Sequence, residues 1–138
     1  MDFGLAKVIR RTLRSCSVKY SMTGETGSPR YMSPEVALTQ PYNEKADVWS
    51  FTTILWEMVT GRLPFAGYNM AMYLERVCKG GERPVVVHSW PDDLKSVLAS
   101  GWQTDPDKRS SFREIETILK DLHREQRPSK KKGFFGRG

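Results

Sequence analysis

The hydrophobic positions of the chain are densest between residues 46 and 60. Its apolar members leave no continuous polar face: Val48, Trp49, Phe51, Ile54, Leu55, Trp56, Met58 and Val59. A helix that is apolar nearly all round belongs inside a domain. Asn43 can cap its first turn, Gly61 can end it in the left-handed conformation, and Pro64 prevents its continuation. The pattern therefore predicts one buried central helix.

The rest of the pattern predicts helices on both sides of this central helix. Pro34 favours the start of a short helix over residues 35–38. Three longer helices are predicted over residues 70–79, 91–100 and 111–126. The first should point Met72, Tyr73, Val77 and Cys78 inward, and the last has an apolar stripe of Phe112, Ile115, Ile118, Leu119 and Leu122. The expected fold is mainly α.

Asp47 is the one acid in the first turn of the central helix. A buried carboxylate without donors is costly, so Asp47 must either find hydrogen-bond partners or stay in contact with solvent. Both interpretations remain open at the level of the pattern.

Length and charge limit the classes of function. A chain of 138 residues can bury one core. Of the net charge of +6, residues 124–138 contribute +5 and residues 1–24 contribute +4, which leaves −3 for the body. Charge confined to two ends does not form a basic recognition surface, which argues against a nucleic acid partner.

The chain shows no signal for export or membrane insertion. No apolar run is long enough for a membrane span, and no signal peptide is apparent. Cys16 and Cys78 lie far apart and fit no metal-binding spacing, which is typical of a reduced intracellular protein. We therefore expect a cytoplasmic protein.

Several short motifs occur in a fixed order along the chain. Asp2-Phe3-Gly4 opens it, a stretch rich in Gly and Pro follows, and Ser33-Pro34-Glu35 closes that stretch. Asp47 to Phe51, Gly61 to Phe65 and residues 101–112 continue the series. In this order the motifs resemble the second half of a eukaryotic protein kinase domain, with Ser33 in place of the usual Ala. The chain is most similar to the tyrosine-kinase-like group of serine/threonine kinases.

The resemblance implies a domain organisation. Residues 1–123 would form part of a kinase domain, the large helical lobe truncated at its start. Within it, residues 2–35 would be the activation segment and residues 36–123 a helical subdomain. Residues 124–138 would be a disordered basic tail.

The resemblance also implies roles for the first motif. Asp2 would hold Mg²⁺ against the phosphates of ATP, Phe3 would be the packing switch beside it, and Gly4 would permit the backbone turn. Ser28 would position the acceptor site, and a hydroxyl there favours transfer to Ser or Thr over Tyr.

Two threonines lie where activation-segment phosphorylation occurs in the family. Thr23 and Thr26 are therefore candidate phosphosites, with Arg10, Arg11 and Arg14 available in sequence to pair a phosphate. Ordinary turn hydroxyls are the alternative interpretation of both threonines.

Three further residues would have structural roles. By resemblance, Glu35 and Arg109 form an ion pair that ties the end of the activation segment to the last third of the lobe. Asp47 would brace the catalytic loop.

A complete kinase also needs groups that the sequence does not contain. The 138 residues have no Gly-rich loop, strand lysine or His-Arg-Asp loop followed by Asn. His123-Arg124-Glu125 ends in Glu and lies in the last predicted helix. We therefore expect a truncated fragment that is inactive alone, with one face of the central helix uncovered. The alternative is a docking or regulatory module that binds protein substrates, another kinase or a scaffold protein.

Overall fold

The structure, a computed structural model, describes residues 29–125. It is an arrangement of helices joined by loops and short 3₁₀ turns. The helices are α1 (Pro34–Ala37), α2 (Lys45–Thr60), α3 (Met70–Met72, continued by a π-helical segment, Tyr73–Lys79), α4 (Asp92–Gly101) and α5 (Phe112–Glu125). The 3₁₀ turns are Pro29–Tyr31 and Pro106–Lys108. The mainly α fold predicted from the sequence is confirmed.

The central helix α2 ends at the predicted residue and begins one residue earlier than predicted, at Lys45, with Glu44 at the N-cap position and no capping hydrogen bond from the Glu44 side chain. The Oδ1 atom of Asn43 accepts a hydrogen bond from the backbone N–H of Lys45 at 3.0 Å, which satisfies one of the free donors of the first turn. Gly61 adopts a φ of 63°, and its N–H donates to the carbonyl of Glu57 at 2.7 Å. A left-handed glycine ends the helix as the sequence predicted.

The core forms where α2 packs against α3, α4 and α5. Trp49 is fully buried at its centre, together with Tyr73 and Leu98. A second cluster joins Val48 of α2 to Ile115 of α5. Burial of this apolar surface should provide most of the stability of the fold.

The prediction of a fully buried α2 is wrong for one side of the helix. Ile54, Met58 and Val59 are 45%, 65% and 43% exposed, whereas Val48 and Trp49 are buried. Ile54 and Met58 lie on the same side as Asp47, opposite the core, because their spacings of seven and four residues return to one helix face. The uncovered face that we also expected is therefore present, and we call Asp47, Ile54 and Met58 the open face of α2.

Two other predicted elements differ in detail. The helix over residues 70–79 changes from α to π geometry at Tyr73, although Tyr73 and Val77 point inward as expected. Helix α5 ends at Glu125, one residue before the end predicted for the last helix, so Arg124 and Glu125 are helical although the implied domain division assigned them to a tail. Phe112 of its apolar stripe is 44% exposed.

None of the helices within residues 29–125 combines the length and apolar character needed to cross a membrane.

Candidate functional site

The predicted site residues of the first motif and of the phosphosite region lie outside the described residues. They are Asp2, Phe3, Gly4, Thr23, Thr26 and Ser28. The described part of the site is the stretch that follows, residues 29–35, which we call the anchored segment. Helix α2, helix α3 and the loop before α5 each hold part of it.

Helix α2 holds the start of the anchored segment through Tyr31. The Tyr31 hydroxyl donates to Oε2 of Glu57 at 2.7 Å, and the hydroxyl of Ser50 donates to the Tyr31 carbonyl at 2.8 Å. The hydrogen bond to Glu57 and partial burial raise the pKa of Tyr31. Both ends of one residue are thus bound to the same helix.

Helix α3 holds the middle of the segment. The Tyr73 hydroxyl donates to the carbonyl of Met32 at 2.6 Å, and Tyr73 is fully buried. Burial raises the pKa of the Tyr73 phenol far above its usual range, so the hydroxyl stays protonated and remains a donor.

The predicted pair of Glu35 and Arg109 closes the segment. Nη1 of Arg109 lies 2.6 Å from Oε1 of Glu35, and Nη2 lies 2.7 Å from Oε2. The side chain of Arg109 is 0% exposed, and that of Glu35 is 5% exposed. This is a bidentate, buried ion pair in which the planar guanidinium matches the carboxylate.

Backbone carbonyls satisfy the remaining donors of Arg109. Its Nε donates to the carbonyl of Gln103 at 2.7 Å, and Nη1 donates to that of Lys45 at 2.9 Å. Nη2 also donates to the carbonyl of Thr104 at 3.3 Å. In return, Nζ of Lys45 donates to the carbonyl of Arg109 at 2.6 Å. Arg109 therefore joins the anchored segment, the start of α2 and the loop before α5.

Two guanidinium groups contact the indole ring of Trp49. The Cζ atoms of Arg83 and Arg109 lie 4.4 Å and 5.2 Å from the ring centroid. A cation near an aromatic face is attracted by the ring quadrupole. Burial, with a smaller contribution from Arg109, lowers the pKa of Arg83. The ion pair of Glu35 and Arg109 thus packs against the buried indole ring of Trp49 in α2.

Ser33 stands where the resembled family has Ala, and its side chain is buried. It is 1% exposed, and its Oγ atom finds no hydrogen-bond partner among residues 29–125. An unsatisfied buried hydroxyl lowers stability.

Asp47 is separate from the anchored segment. Its residue is exposed on the open face of α2, and no partner for its carboxylate appears within residues 29–125. Partial desolvation of the carboxylate by neighbouring protein atoms, followed by the negative charge of Glu44, raises the pKa of Asp47. The described residues do not show the brace that the resemblance implies for it.

The sequence did not predict the contacts made by Tyr31, Ser50, Glu57 and Tyr73. One signal was available, because Ser50 and Glu57 are polar residues two helical turns apart and therefore share one face of a helix that is mainly apolar. Within the described part of the chain, no group of three His, Cys, Asp or Glu could hold a metal ion. The arrangement can therefore position a segment, while its described residues supply no metal-binding group.

Comparison of the sequence with known proteins identifies its family. Residues 1–119 match the family described as protein tyrosine and serine/threonine kinase. The chain is 40% identical over 121 residues to a probable serine/threonine-protein kinase of Dictyostelium discoideum, an alignment that covers 88% of this chain and 12% of that protein.

Two other relatives are similar over the same part of the chain. The dual specificity protein kinase shkB of Dictyostelium discoideum is 38% identical over 128 residues, which is 87% of this chain and 19% of that protein. The serine/threonine-protein kinase VIK of Arabidopsis thaliana is 38% identical over 130 residues, 88% of this chain and 29% of that protein. The chain thus spans less than a third of the length of each. It belongs to the protein tyrosine and serine/threonine kinase family.

Proposed function

We propose that the chain is part of a serine/threonine kinase of the tyrosine-kinase-like group, which transfers the γ-phosphate of ATP to Ser and Thr hydroxyls of protein substrates. The observation that supports this most directly is the buried, bidentate pair of Glu35 and Arg109, which joins the anchored segment to the lobe. Phosphoryl transfer depends mainly on positioning, so a segment expected to position the acceptor should be firmly held.

The specificity for Ser and Thr rests on Ser28. It directly precedes the anchored segment in the sequence, and the next residue, Pro29, is the first of the 3₁₀ turn Pro29–Tyr31. In the proposal its hydroxyl helps to place the acceptor. Thr23 and Thr26 are proposed as phosphorylation sites of the same segment.

Mg²⁺ and ATP are the proposed cofactors. Asp2 supplies the carboxylate for the metal, a ligand type that Mg²⁺ prefers, with Phe3 and Gly4 completing the motif. When bound, Mg-ATP supplies the phosphoryl group. The 138 residues contain no Gly-rich loop, strand lysine or His-Arg-Asp loop, so we propose that they do not transfer phosphate by themselves.

A chimeric kinase tests the proposed phosphate transfer and its specificity for Ser and Thr. Residues 2–123 would replace the corresponding part of the kinase domain of the Arabidopsis relative VIK. The chimera is expected to transfer labelled phosphate from ATP to Ser and Thr peptides but not to a Tyr peptide, and Asp2→Asn should abolish transfer. The exposed substitution Glu116→Gln is the control and should leave transfer unchanged.

Each part can fail separately. A folded chimera that is inactive, or equally active on Tyr peptides, would contradict the assigned activity or specificity. Transfer by the 138-residue chain itself, lost in Asp2→Ala, would contradict the proposed inactivity.

The open face of α2 favours a second candidate function, a docking or regulatory module that binds another kinase or a scaffold protein. Contiguous exposed apolar residues often mark interaction sites. Binding of a partner kinase by the 138-residue chain, weakened by Met58→Ser and accompanied by no transfer, would favour this candidate. For either function we propose a cytoplasmic location, which the free, buried thiol of Cys78 supports.

A further inference from the structure

Arg83 is a half-buried cation outside the ion pair of Glu35 and Arg109. It lies in the loop between the π-helical segment and α4, and it forms no salt bridge within residues 29–125. A charge that is withdrawn from water is costly unless other groups solvate it. The neutral groups around Arg83 must therefore solvate its charge, and in doing so they fix its orientation.

Backbone carbonyls and one hydroxyl surround the guanidinium of Arg83. Its Nε donates to the carbonyl of Trp102 at 3.0 Å, and Nη2 donates to Oγ1 of Thr104 at 2.9 Å. Nη1 donates to the carbonyls of Val77 and Glu82 at 3.2 Å and 2.8 Å. The planar fork thus joins the end of the π-helical segment to the loop that follows α4.

Arg83 and Arg109 bind alternating groups of this loop. Arg83 binds the carbonyl of Trp102 and the hydroxyl of Thr104, whereas Arg109 binds the carbonyls of Gln103 and Thr104. Thr104 is therefore bound by both guanidinium groups. Because carbonyls of the loop orient Arg109, a group that fixes the loop also fixes Arg109.

The indole ring of Trp49 connects the two arginines a second time. It is fully buried, and the Cζ atom of Arg83 lies closer to its centroid than that of Arg109, at 4.4 Å against 5.2 Å. Two like charges at one ring repel each other, and each is attracted by the ring. A displacement of Arg83 would therefore change the surroundings of Arg109 directly.

We propose that Arg83 is a positioning residue for the anchored segment. It fixes the loop after α4, the loop orients Arg109, and Arg109 holds Glu35 in the bidentate pair. The consequence for catalysis rests on the proposed function: in a kinase that contains this chain, Arg83 keeps the acceptor site in place without touching substrate or ATP.

Hydrogen exchange of the Arg109 side chain tests the positioning in the 138-residue chain. The Nε–H of Arg109 is buried and hydrogen-bonded, so its exchange with D₂O, followed by NMR, should be slow. The backbone N–H of Leu98, a fully buried residue of α4, is the reference for opening of the whole fold.

Arg83→Met keeps most of the length of the side chain and removes the fork. It should accelerate exchange of the Arg109 Nε–H at least about tenfold relative to the Leu98 reference. That factor corresponds to about 1.4 kcal/mol, slightly less than one hydrogen bond to a charged group contributes.

Arg76→Met is the matched control. Arg76 also faces an aromatic ring, with its Cζ atom 5.5 Å from the centroid of Tyr68, and it donates to the Tyr68 hydroxyl at 3.3 Å. It is exposed, however, and no hydrogen bond joins its side chain to the loop after α4 within residues 29–125. Arg76→Met should leave the ratio of the two exchange rates unchanged.

Thr104→Val is a milder second variant. It removes one acceptor of Arg83 at an exposed position with little change of shape. It should accelerate exchange of the Arg109 Nε–H by a smaller factor than Arg83→Met, and it decides the question if Arg83→Met does not fold.

The chimera with VIK tests the consequence for the acceptor. Arg83→Met should raise the KM for a Ser peptide about tenfold and leave the KM for ATP unchanged, because only the acceptor site is displaced. A purely structural role would instead reduce the amount of folded enzyme, which lowers the apparent kcat and leaves both KM values unchanged.

Three results would overturn the proposal. In the first, the Arg109 Nε–H of each folded variant exchanges in proportion to the Leu98 reference. In the second, Arg76→Met changes the ratio as much as Arg83→Met. In the third, the chimera is active and Arg83→Met lowers kcat alone. An inactive chimera with unchanged Arg83 would contradict the proposed activity, and the exchange rates would then decide separately whether Arg83 positions Arg109.

Discussion

Glu35→Gln should destabilise the fold by about 3–5 kcal/mol, the cost of leaving one partner of a buried ion pair uncompensated. The amide keeps the shape of the carboxylate, but its NH₂ group would face an N–H of Arg109 where a carboxylate oxygen now accepts at 2.6 or 2.7 Å. The carbonyls of Gln103, Lys45 and Thr104 still solvate the guanidinium. We therefore expect a loss of about 3 kcal/mol, the lower end of the range.

Thermal and urea unfolding of the 138-residue chain measure this loss. For a domain of about 100 residues, each kcal/mol shifts the Tm by about 4–8 °C, so the Tm should fall by at least about 12 °C. The urea midpoint should fall with an unchanged slope, because the surface exposed on unfolding stays the same.

The control separates burial from distance. Glu116 lies 2.6 Å from Lys120, as close as Glu35 lies to Arg109, but its side chain is 62% exposed whereas that of Glu35 is 5% exposed. Glu116→Gln should therefore leave the midpoint unchanged, since water and salt screen an exposed pair. Equal shifts for the two variants, or no shift for Glu35→Gln, would refute the reasoning. Replacing both Glu35 and Arg109 by Met should recover only part of the loss, because no buried charge then remains but the carbonyls of Gln103, Lys45 and Thr104 lose their donor.

Four other outcomes follow from the same geometry. Ser33→Ala should stabilise the chain by about 1 kcal/mol in urea unfolding, since it removes a buried hydroxyl without a partner; a loss of stability would show that the hydroxyl is satisfied. Gly101→Ala should cost about 1–3 kcal/mol because its Cβ would overlap Thr52, and adding Thr52→Ala should restore part of the Tm. The pKa of Asp47 is raised in the folded state, so its ionisation lowers stability as the pH rises. Asp47→Asn should therefore raise the Tm at pH 7 and leave it unchanged at pH 3, where both side chains are neutral. Burial raises the pKa of Cys78 to about 11, so in a variant without the other cysteine its alkylation at pH 8 should be slow until urea unfolds the chain; rapid alkylation of the folded chain would contradict its burial.

The helices were predictable because their signals are local. The apolar density of residues 46–60, the side chain of Asn43 and the left-handed Gly61 all lie within or next to α2. The structure shows the expected end at Gly61 and a start within one residue of the prediction, where Asn43 accepts from the N–H of Lys45. Which faces of that helix are covered was not predictable in the same way. Ile54 and Met58 are as apolar as Val48, and only the placement of the other helices makes them exposed.

The anchored segment shows a different limit. Glu35 and Arg109 are 74 residues apart, and their pairing was expected only because the motifs around them resemble a known family. The hydrogen bond from Tyr73 to Met32 spans 41 residues, and no pattern in the sequence predicted it. Local periodicity determines which residues share a helix face, but contacts between distant side chains depend on how whole helices pack.

The contacts on the anchored segment act on its position more than on stability. One ordinary hydrogen bond contributes only about 0.5–1.5 kcal/mol net, and a buried ion pair is often no more stabilising than well-packed apolar residues. Yet these bonds reach Tyr31, Met32 and Glu35 from three separate parts of the fold. A shift of the segment by one residue would break all of them together. The anchored segment is therefore held in one register. Ser28 directly precedes this segment, and a residue expected to position the acceptor of the phosphoryl group requires such a fixed neighbour.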